Sequence, residues 1–131
     1  MFDATIPETV QTLRNFESTP ESARAVRRFV ANALPPDAPV DDVVLIASEL
    51  ASNAIRHART DYTVRLVTDD RLVRLEVSDE SRIIPTLQDL GDSHRGLRIV
   101  DQLSEMWGVE PTEEGKTVWA NIAMGSGEGD S

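Results

Sequence analysis

The decisive stretch of the sequence lies near its middle and consists of Ala47-Ser48-Glu49-Leu50-Ala51-Ser52-Asn53-Ala54-Ile55-Arg56-His57-Ala58. It belongs to a run from Asp41 to Ala58 in which apolar residues recur at helical spacing, so the sequence predicts a helix here. On a helical wheel with Glu49 at zero and ~100° per residue, Asn53 falls at about 40° and His57 at about 80°. A carboxylate, an amide and an imidazole therefore lie one turn apart on one side of the predicted helix.

This polar row shares its side of the helix with apolar residues, because Ile46 falls at about 60° and Leu50 at about 100° on the same wheel. The predicted solvent-facing stripe lies elsewhere and consists of Ser48, Ser52, Arg56 and Arg59. Half-buried polar groups cost free energy unless they are hydrogen-bonded. Two interpretations stay open: the three side chains satisfy one another and nearby backbone, or they bind a ligand or a metal.

The ligand interpretation has a definite chemistry. A carboxylate and an amide oxygen one turn apart suit Mg²⁺, which takes oxygen ligands and keeps several waters. A carboxylate beside such a cation could instead orient a hydroxyl or a water as a general base. A zinc site is not expected, because the chain has no cysteine and its two histidines, His57 and His94, are far apart in sequence.

The flanking sequence predicts an α+β fold, a two-layer α/β sandwich with helices on one face of a mixed, mostly antiparallel sheet. Working outward along the chain, the predicted elements are a weak strand at Thr9–Phe16, a helix between Thr19 and Pro35, hairpin strands at Tyr62–Val67 and Leu72–Val77, a loop at Glu80–Arg95, a helix at Gly96–Trp107 closed by Gly108, and a strand at Lys116–Ile122. The domain is expected to cover residues 1–123, with a flexible tail at 124–131.

Composition excludes several classes of function. The 131 residues correspond to one domain, and the formal net charge of −10 disfavours duplex DNA or RNA as a direct ligand. Any bound polyanion then needs a metal ion, an arginine or backbone N–H groups. The absence of cysteine excludes thiolate chemistry. No apolar run approaches the ~18 residues that span a bilayer, and the N-terminus has no secretory pattern, so a cytoplasmic protein with no membrane partner is expected.

Three blocks of sequence together resemble a known family. Residues 47–58 closely resemble the N-box of the GHKL ATP-binding fold, in particular that of the small anti-sigma-factor serine/threonine kinases. Val77-Ser78-Asp79-Glu80-Ser81 lies at a predicted strand end, where that family has its adenine-binding aspartate. His94-Arg95-Gly96-Leu97-Arg98-Ile99-Val100, followed by Trp107-Gly108-Val109 and Gly115-Lys116-Thr117-Val118-Trp119, is similar to the family's lid end, helix and final strand. The resemblance covers roughly residues 8 to 123.

The resemblance implies roles for individual residues. Glu49 would be the general base toward a hydroxyl nucleophile, Asn53 would hold Mg²⁺ between the ATP phosphates, and Asp79 would accept from the adenine amine. Phosphate oxygens would meet the helix N-terminus at Gly96. The nucleotide-binding residues implied in this way are Asn53, His57, Asp79, Arg95, Gly96, Leu97 and Thr117.

The resemblance also implies a function. The chain would be an anti-sigma factor that sequesters a sigma factor and phosphorylates an anti-anti-sigma antagonist of the STAS type on Ser or Thr, using Mg-ATP, and it could form a homodimer. Ser81 and His94 stand where the family has glycine. The alternative is therefore a non-catalytic regulator of the same fold that binds its partners with weak or no ATP use. A third option is an ATPase that hydrolyses ATP to water.

Overall fold

The computed structural model describes residues 9–83 and 94–124, apart from the side chains of 94 and 95. In chain order the elements are β1 (Val10–Phe16), α1 (Pro20–Ala33), α2 (Val40–Asn53) followed by a π-helical turn (Ala54–Ala58), β2 (Tyr62–Thr68), β3 (Leu72–Asp79), α3 (His94–Leu103), β4 (Met106–Pro111) and β5 (Lys116–Ala123). Within these ranges, no helix is both long enough and apolar enough to cross a bilayer.

The five strands form one sheet in the order β1-β2-β3-β5-β4, and every strand pairing in the described part of the chain is antiparallel. The predicted α+β class with a helical layer and a sheet is confirmed. The sheet is expected to be mixed but mostly antiparallel, and its described pairings, including that of β4 with β5 at the edge, are all antiparallel. The predicted weak strand is β1, which pairs along its whole length with β2.

The core lies between the helices and one face of the sheet. Strands β2 and β3 alternate buried and half-buried residues, which is the pattern of a sheet covered on one side. The buried helix residues include Val26 and Val30 of α1 and Ile46 and Leu50 of α2. Burying a side chain of this size stabilises the fold by roughly 1.5–3 kcal/mol. The core therefore holds α2, and its polar row, firmly against the sheet.

The other face of the sheet carries a charged network. Arg65 Nη1 lies 3.0 Å from Glu76 Oε1, and Arg74 Nε lies 2.8 Å from Glu76 Oε2. Desolvation pushes the pKa of Glu76 upward, but the hydrogen bonds and charges of Arg74 and Arg65 outweigh it and the pKa is lowered. The Arg74 guanidinium also lies 4.4 Å from the centre of a Trp119 ring. These contacts keep the open face polar.

The third helix ends earlier than predicted. The spacing from Ile99 to Trp107 suits a helix, but α3 stops at Leu103 and residues from Met106 form β4. At this end the Ser104 N–H and the Ser104 hydroxyl both donate to the Val100 carbonyl, over 3.0 Å and 2.6 Å. Gly108 is not a helix cap either: a Cβ there would lie 2.9 Å from the Trp119 ring on β5, so glycine lets the two strands approach.

The second helical segment ends at Ala58, as predicted, but its last turn is π-helical rather than α-helical. After Asn53 the chain makes a π-helical turn, which finishes at Arg59 with φ of 60° and an N–H bonded to the Ala54 carbonyl over 2.9 Å. A π-turn is wider than an α-turn, so His57 does not continue the wheel position predicted for it. Single π-turns of this kind are rare and are often found at functional sites.

Candidate functional site

A cleft of about 140 Å³ opens where the end of α2 faces the ends of β3 and β5. Its apolar walls include Leu50, Val77 and Val118. Its polar groups are Asn53, His57, Asp79, Ser81 and Lys116. Asn53 and His57, two of the three residues of the polar row of α2, both line this cleft.

Asn53 is the residue whose hydrogen bonding is incomplete. Its Nδ2 atom is buried and has no hydrogen-bond partner within the described residues, and it is the one buried side-chain atom there of which this is true. Buried amides are normally bonded, and a half-turn of the amide exchanges Nδ2 and Oδ1. Asn53 lines the cleft and has an unpaired amide donor, which fits an acceptor on a ligand as it is placed and would offer an oxygen to a cation after this half-turn.

Glu49 lies one helical turn before Asn53 and faces the start of α3. It is half-buried and does not line the cleft itself. A Cβ built on Gly96 would be 2.7 Å from Glu49 Oε1, so glycine at 96 is what allows the carboxylate and the first turn of α3 to meet. The first four N–H groups of a helix have no partner within it. The Glu49 carboxylate therefore lies beside the first described turn of α3, which contains Gly96 and Leu97.

Asp79 and Lys116 form a buried ion pair at the cleft. They are directly opposite each other in β3 and β5, and only 7% and 5% of their surfaces are exposed. Lys116 Nζ donates to Asp79 Oδ1 over 2.9 Å, and the Ser81 N–H donates to the same oxygen over 2.9 Å. A buried charge must be paired to be tolerated, so each of these two groups requires the other.

Lys116 is the functional candidate that the sequence reasoning missed. Val118, Ala120 and Ile122 are buried and alternate along β5 with half-buried residues. Extending that alternation by two residues toward the start of β5 places Lys116, and not Thr117, on the helix-facing side of the sheet. The signal was therefore present in the sequence.

The same alternation corrects the expectation for Thr117. Its side chain lies on the opposite face of the sheet, where its hydroxyl is 2.7 Å from Ser78 Oγ, and it lines a different hollow together with Asn15 and Thr63. A one-residue difference in a strand moves a side chain to the other face. Thr117 is thus not brought to the cleft.

His57 occupies the π-turn at the edge of the cleft. The residue is exposed overall, yet its pKa is lowered, first by desolvation of the ring and then by the positive charges of Arg56, Lys116 and Arg59. A neutral imidazole is therefore favoured at pH 7. The side chain of Arg95, a predicted nucleotide-binding residue, and that of His94 lie outside the described part of the structure.

A cation at this site would depend on its ligand for most of its coordination. The described residues contain no group of three or more His, Asp or Glu side chains that could hold a metal. The single amide of Asn53 fits an ion such as Mg²⁺ that keeps waters and takes further oxygens from phosphates. The donor set therefore suits a metal that arrives with a phosphate ligand.

Comparison with known proteins decides the family. Residues 16–122 match the histidine kinase-like ATPase domain. The chain belongs to this family. Its fold is also similar to a crystal structure of the RsbU and RsbW domains of Rv1364c from Mycobacterium tuberculosis, with a TM-score of 0.65 and 18% identity over 86% of the chain. The chain spans 32% of that longer protein, so this likeness concerns the fold alone. No curated protein sequence matches the chain.

The family membership confirms the GHKL type of fold. In this ATPase domain, α2 carries Glu49 and Asn53, the end of β3 carries Asp79, and the first turn of α3 carries Gly96. Residues from the blocks 47–58, 77–81 and 115–119 line one cleft, and Gly96 of the block 94–100 lies close to Glu49.

Proposed function

We propose that this ATPase domain is an anti-sigma factor with serine/threonine kinase activity. It would bind a sigma factor, and it would use Mg-ATP to phosphorylate a hydroxyl of an anti-anti-sigma antagonist. The observation that carries the proposal is the unsatisfied buried amide of Asn53 at an open cleft, one turn from a carboxylate that meets a helix N-terminus. The structural neighbour, which contains an RsbW domain, supports the fold on which this proposal rests.

Each residue has a defined task in this proposal. Mg-ATP, when bound, supplies the phosphoryl group and a divalent charge. Asn53 holds the cation and Asp79 accepts from the base. The N–H groups of Gly96 and Leu97 donate to phosphate oxygens, and Glu49 accepts the proton of the acceptor hydroxyl. Such sites act mainly by positioning and by charge stabilisation.

The electrostatics of the chain make these donors necessary. A protein with a net charge of −10 repels a free triphosphate. A cation held by Asn53 and oriented N–H groups on α3 would offset that repulsion locally. A positively charged protein surface is then not needed to bind the triphosphate. The same net charge is consistent with protein partners rather than nucleic acid, and cytoplasmic localisation is part of the proposal.

The test is transfer of labelled phosphate from Mg-ATP to an antagonist recovered by affinity purification from the native cell. Wild-type protein should transfer phosphate, whereas Glu49→Ala should bind nucleotide, keep the fold and transfer none. Glu105→Ala removes an exposed carboxylate beyond the end of α3 and serves as the matched control with full activity. Transfer by Glu49→Ala at the wild-type rate would contradict the assigned role.

A second candidate is a regulator that binds its partners without using ATP. Ser81 favours it, because this residue stands where the family has glycine and belongs to the lining of the cleft. Isothermal titration separates the two candidates. Heat on addition of Mg-ATP supports the kinase, and no heat at millimolar nucleotide supports the binding-only regulator.

A further inference from the structure

Lysine occurs once in this sequence, at position 116, among 13 lysines and arginines. This lysine is also 5% exposed, although lysine is almost never buried unless it is paired. All other basic residues are arginine, whose planar fork differs from the compact ammonium of lysine. The one lysine of the chain is thus a buried residue, and it lines the cleft.

The backbone around Lys116 is built to bring it against β3. A Cβ on the preceding residue, Gly115, would lie 2.1 Å from the Asp79 carbonyl oxygen and 2.6 Å from Glu80 Cα. Because no such atom could be accommodated without moving backbone, glycine at 115 permits the start of β5 to lie close to the end of β3. The ammonium consequently reaches the Asp79 carboxylate.

The contacts of the ion pair leave one donor and one acceptor unused. An ammonium has three N–H groups. Within the described part of the chain, one bonds Asp79 Oδ1 at 2.9 Å and a second lies 3.5 Å from the Ser81 carbonyl. Both hydrogen bonds that Asp79 accepts from described residues go to Oδ1. One Lys116 N–H and the Oδ2 atom of Asp79 have no further hydrogen bond to described residues, and both residues line the cleft.

We propose that Lys116 is a specificity-determining residue, which forms with Asp79 a donor–acceptor pair for the edge of an adenine base. The 6-amino group of adenine donates and the adjacent ring nitrogen N1 accepts. Asp79 Oδ2 would accept from the amine, and Lys116 Nζ would donate to N1. This inference rests on the proposed binding of ATP in the cleft, and adds a direct contact to N1 made by a residue of the final strand.

The pair also accounts for how a carboxylate and an ammonium can lie in an apolar cleft without preventing ligand entry. Their charges cancel, so the cleft wall is neutral overall and offers directional hydrogen bonds rather than a net field. Hydrogen bonds from a charged donor are roughly twice as strong as those between neutral groups. Loss of the Lys116 contact to N1 should therefore be measurable as a change in affinity.

The experiment compares two ligands by isothermal titration in the presence of Mg²⁺: ATP, and 1-deaza-ATP, in which a C–H group replaces N1. Wild-type protein should bind ATP about tenfold more tightly, or better, since a hydrogen bond to a charged group contributes ~1.5–3 kcal/mol. Lys116→Met, which keeps length but has no donor, should bind the two ligands equally. Arg74→Met removes a paired cation from the open face of the sheet and should keep the wild-type preference.

Removing Lys116 alone leaves Asp79 buried and unpaired, which can prevent folding. The double variant Asp79→Asn, Lys116→Met removes both charges, and it too should show no preference for N1. Equal affinity of the wild type for ATP and 1-deaza-ATP would overturn the inference and leave the proposed function standing, as would a preference that survives in either Lys116 variant. Failure of the wild type to bind either ligand would overturn the proposed function and this inference with it.

Discussion

Substitution of Gly96 by alanine should separate activity from stability. In the structure a Cβ at this position lies 2.7 Å from Glu49 Oε1, whereas ordinary contact begins at 3.4 Å, so the carboxylate oxygen must retreat by at least 0.7 Å (3.4 − 2.7). The neighbouring Glu49 atoms, Cβ and Cδ, are already at 3.7 Å. The conflict therefore involves only the tip of a flexible side chain.

The two consequences have different magnitudes. Alanine is favoured over glycine in a helix by up to about 1 kcal/mol, so Gly96→Ala should unfold at the wild-type temperature or a few degrees above it. Displacing a proton-accepting group by roughly 1 Å can cost about 100-fold in rate. Phosphate transfer should therefore fall by about two orders of magnitude while the fold is retained.

The assay pairs a thermal melt with single-turnover transfer of labelled phosphate from Mg-ATP. Gln102→Ala, at an exposed position of the same helix, is the matched control and should leave transfer unchanged. In a Glu49→Ala background, adding Gly96→Ala should lower transfer no further, because the displaced group is gone. Unchanged transfer by Gly96→Ala, or its failure to fold, would refute the reasoning.

Three further predictions concern stability. Gly115→Ala should lower the free energy of unfolding by about 3 kcal/mol or more, since its Cβ would lie 2.1 Å from a backbone oxygen and overpacking of this kind costs ~1–3 kcal/mol even against side chains; a urea melt equal to that of the wild type would contradict this. The pKa of His57 is lowered in the folded state, so protonation favours the unfolded chain. The wild type should therefore lose stability relative to His57→Gln as pH falls below about 6.5, the ordinary histidine pKa. Melting temperatures of the two proteins that change in parallel from pH 8 to pH 5 would disprove this. Glu76, whose pKa is also lowered, should stabilise the fold above about pH 4.5 and lose that contribution in acid, so Glu76→Gln should show a weaker acid dependence of its melting temperature.

Much of the helical layer and the central hairpin could be predicted from sequence because the signals are local. The amphipathic run that ends at Ala58 and the alternating strands on either side of residues 69–71 depend on neighbours along the chain. The polar row of α2 could be recognised for the same reason, and two of its three residues, Asn53 and His57, line the cleft. Asn53 lies there and retains an unsatisfied amide.

The differences arise where distant contacts decide the structure. Met106 and Trp107 fit a continued helix by spacing alone, but their pairing partners, Asn121 and Ala120, lie about 15 residues further on. A different cause explains why Lys116 lies at the cleft in place of the expected Thr117. A motif carried over by resemblance specifies residue types in order, whereas the face of a strand depends on the pairing register with β3, which only the fold provides.

The central claim is that Asn53 holds a cation that binds together with a nucleotide. It is tested most directly by titrating ATP into the wild type and into Asn53→Ala, each with Mg²⁺ and with a chelator. The account predicts that Mg²⁺ tightens binding to the wild type, and that this gain is largely lost in Asn53→Ala. An equal effect of Mg²⁺ on both proteins, or no effect of Mg²⁺ on the wild type, would contradict it.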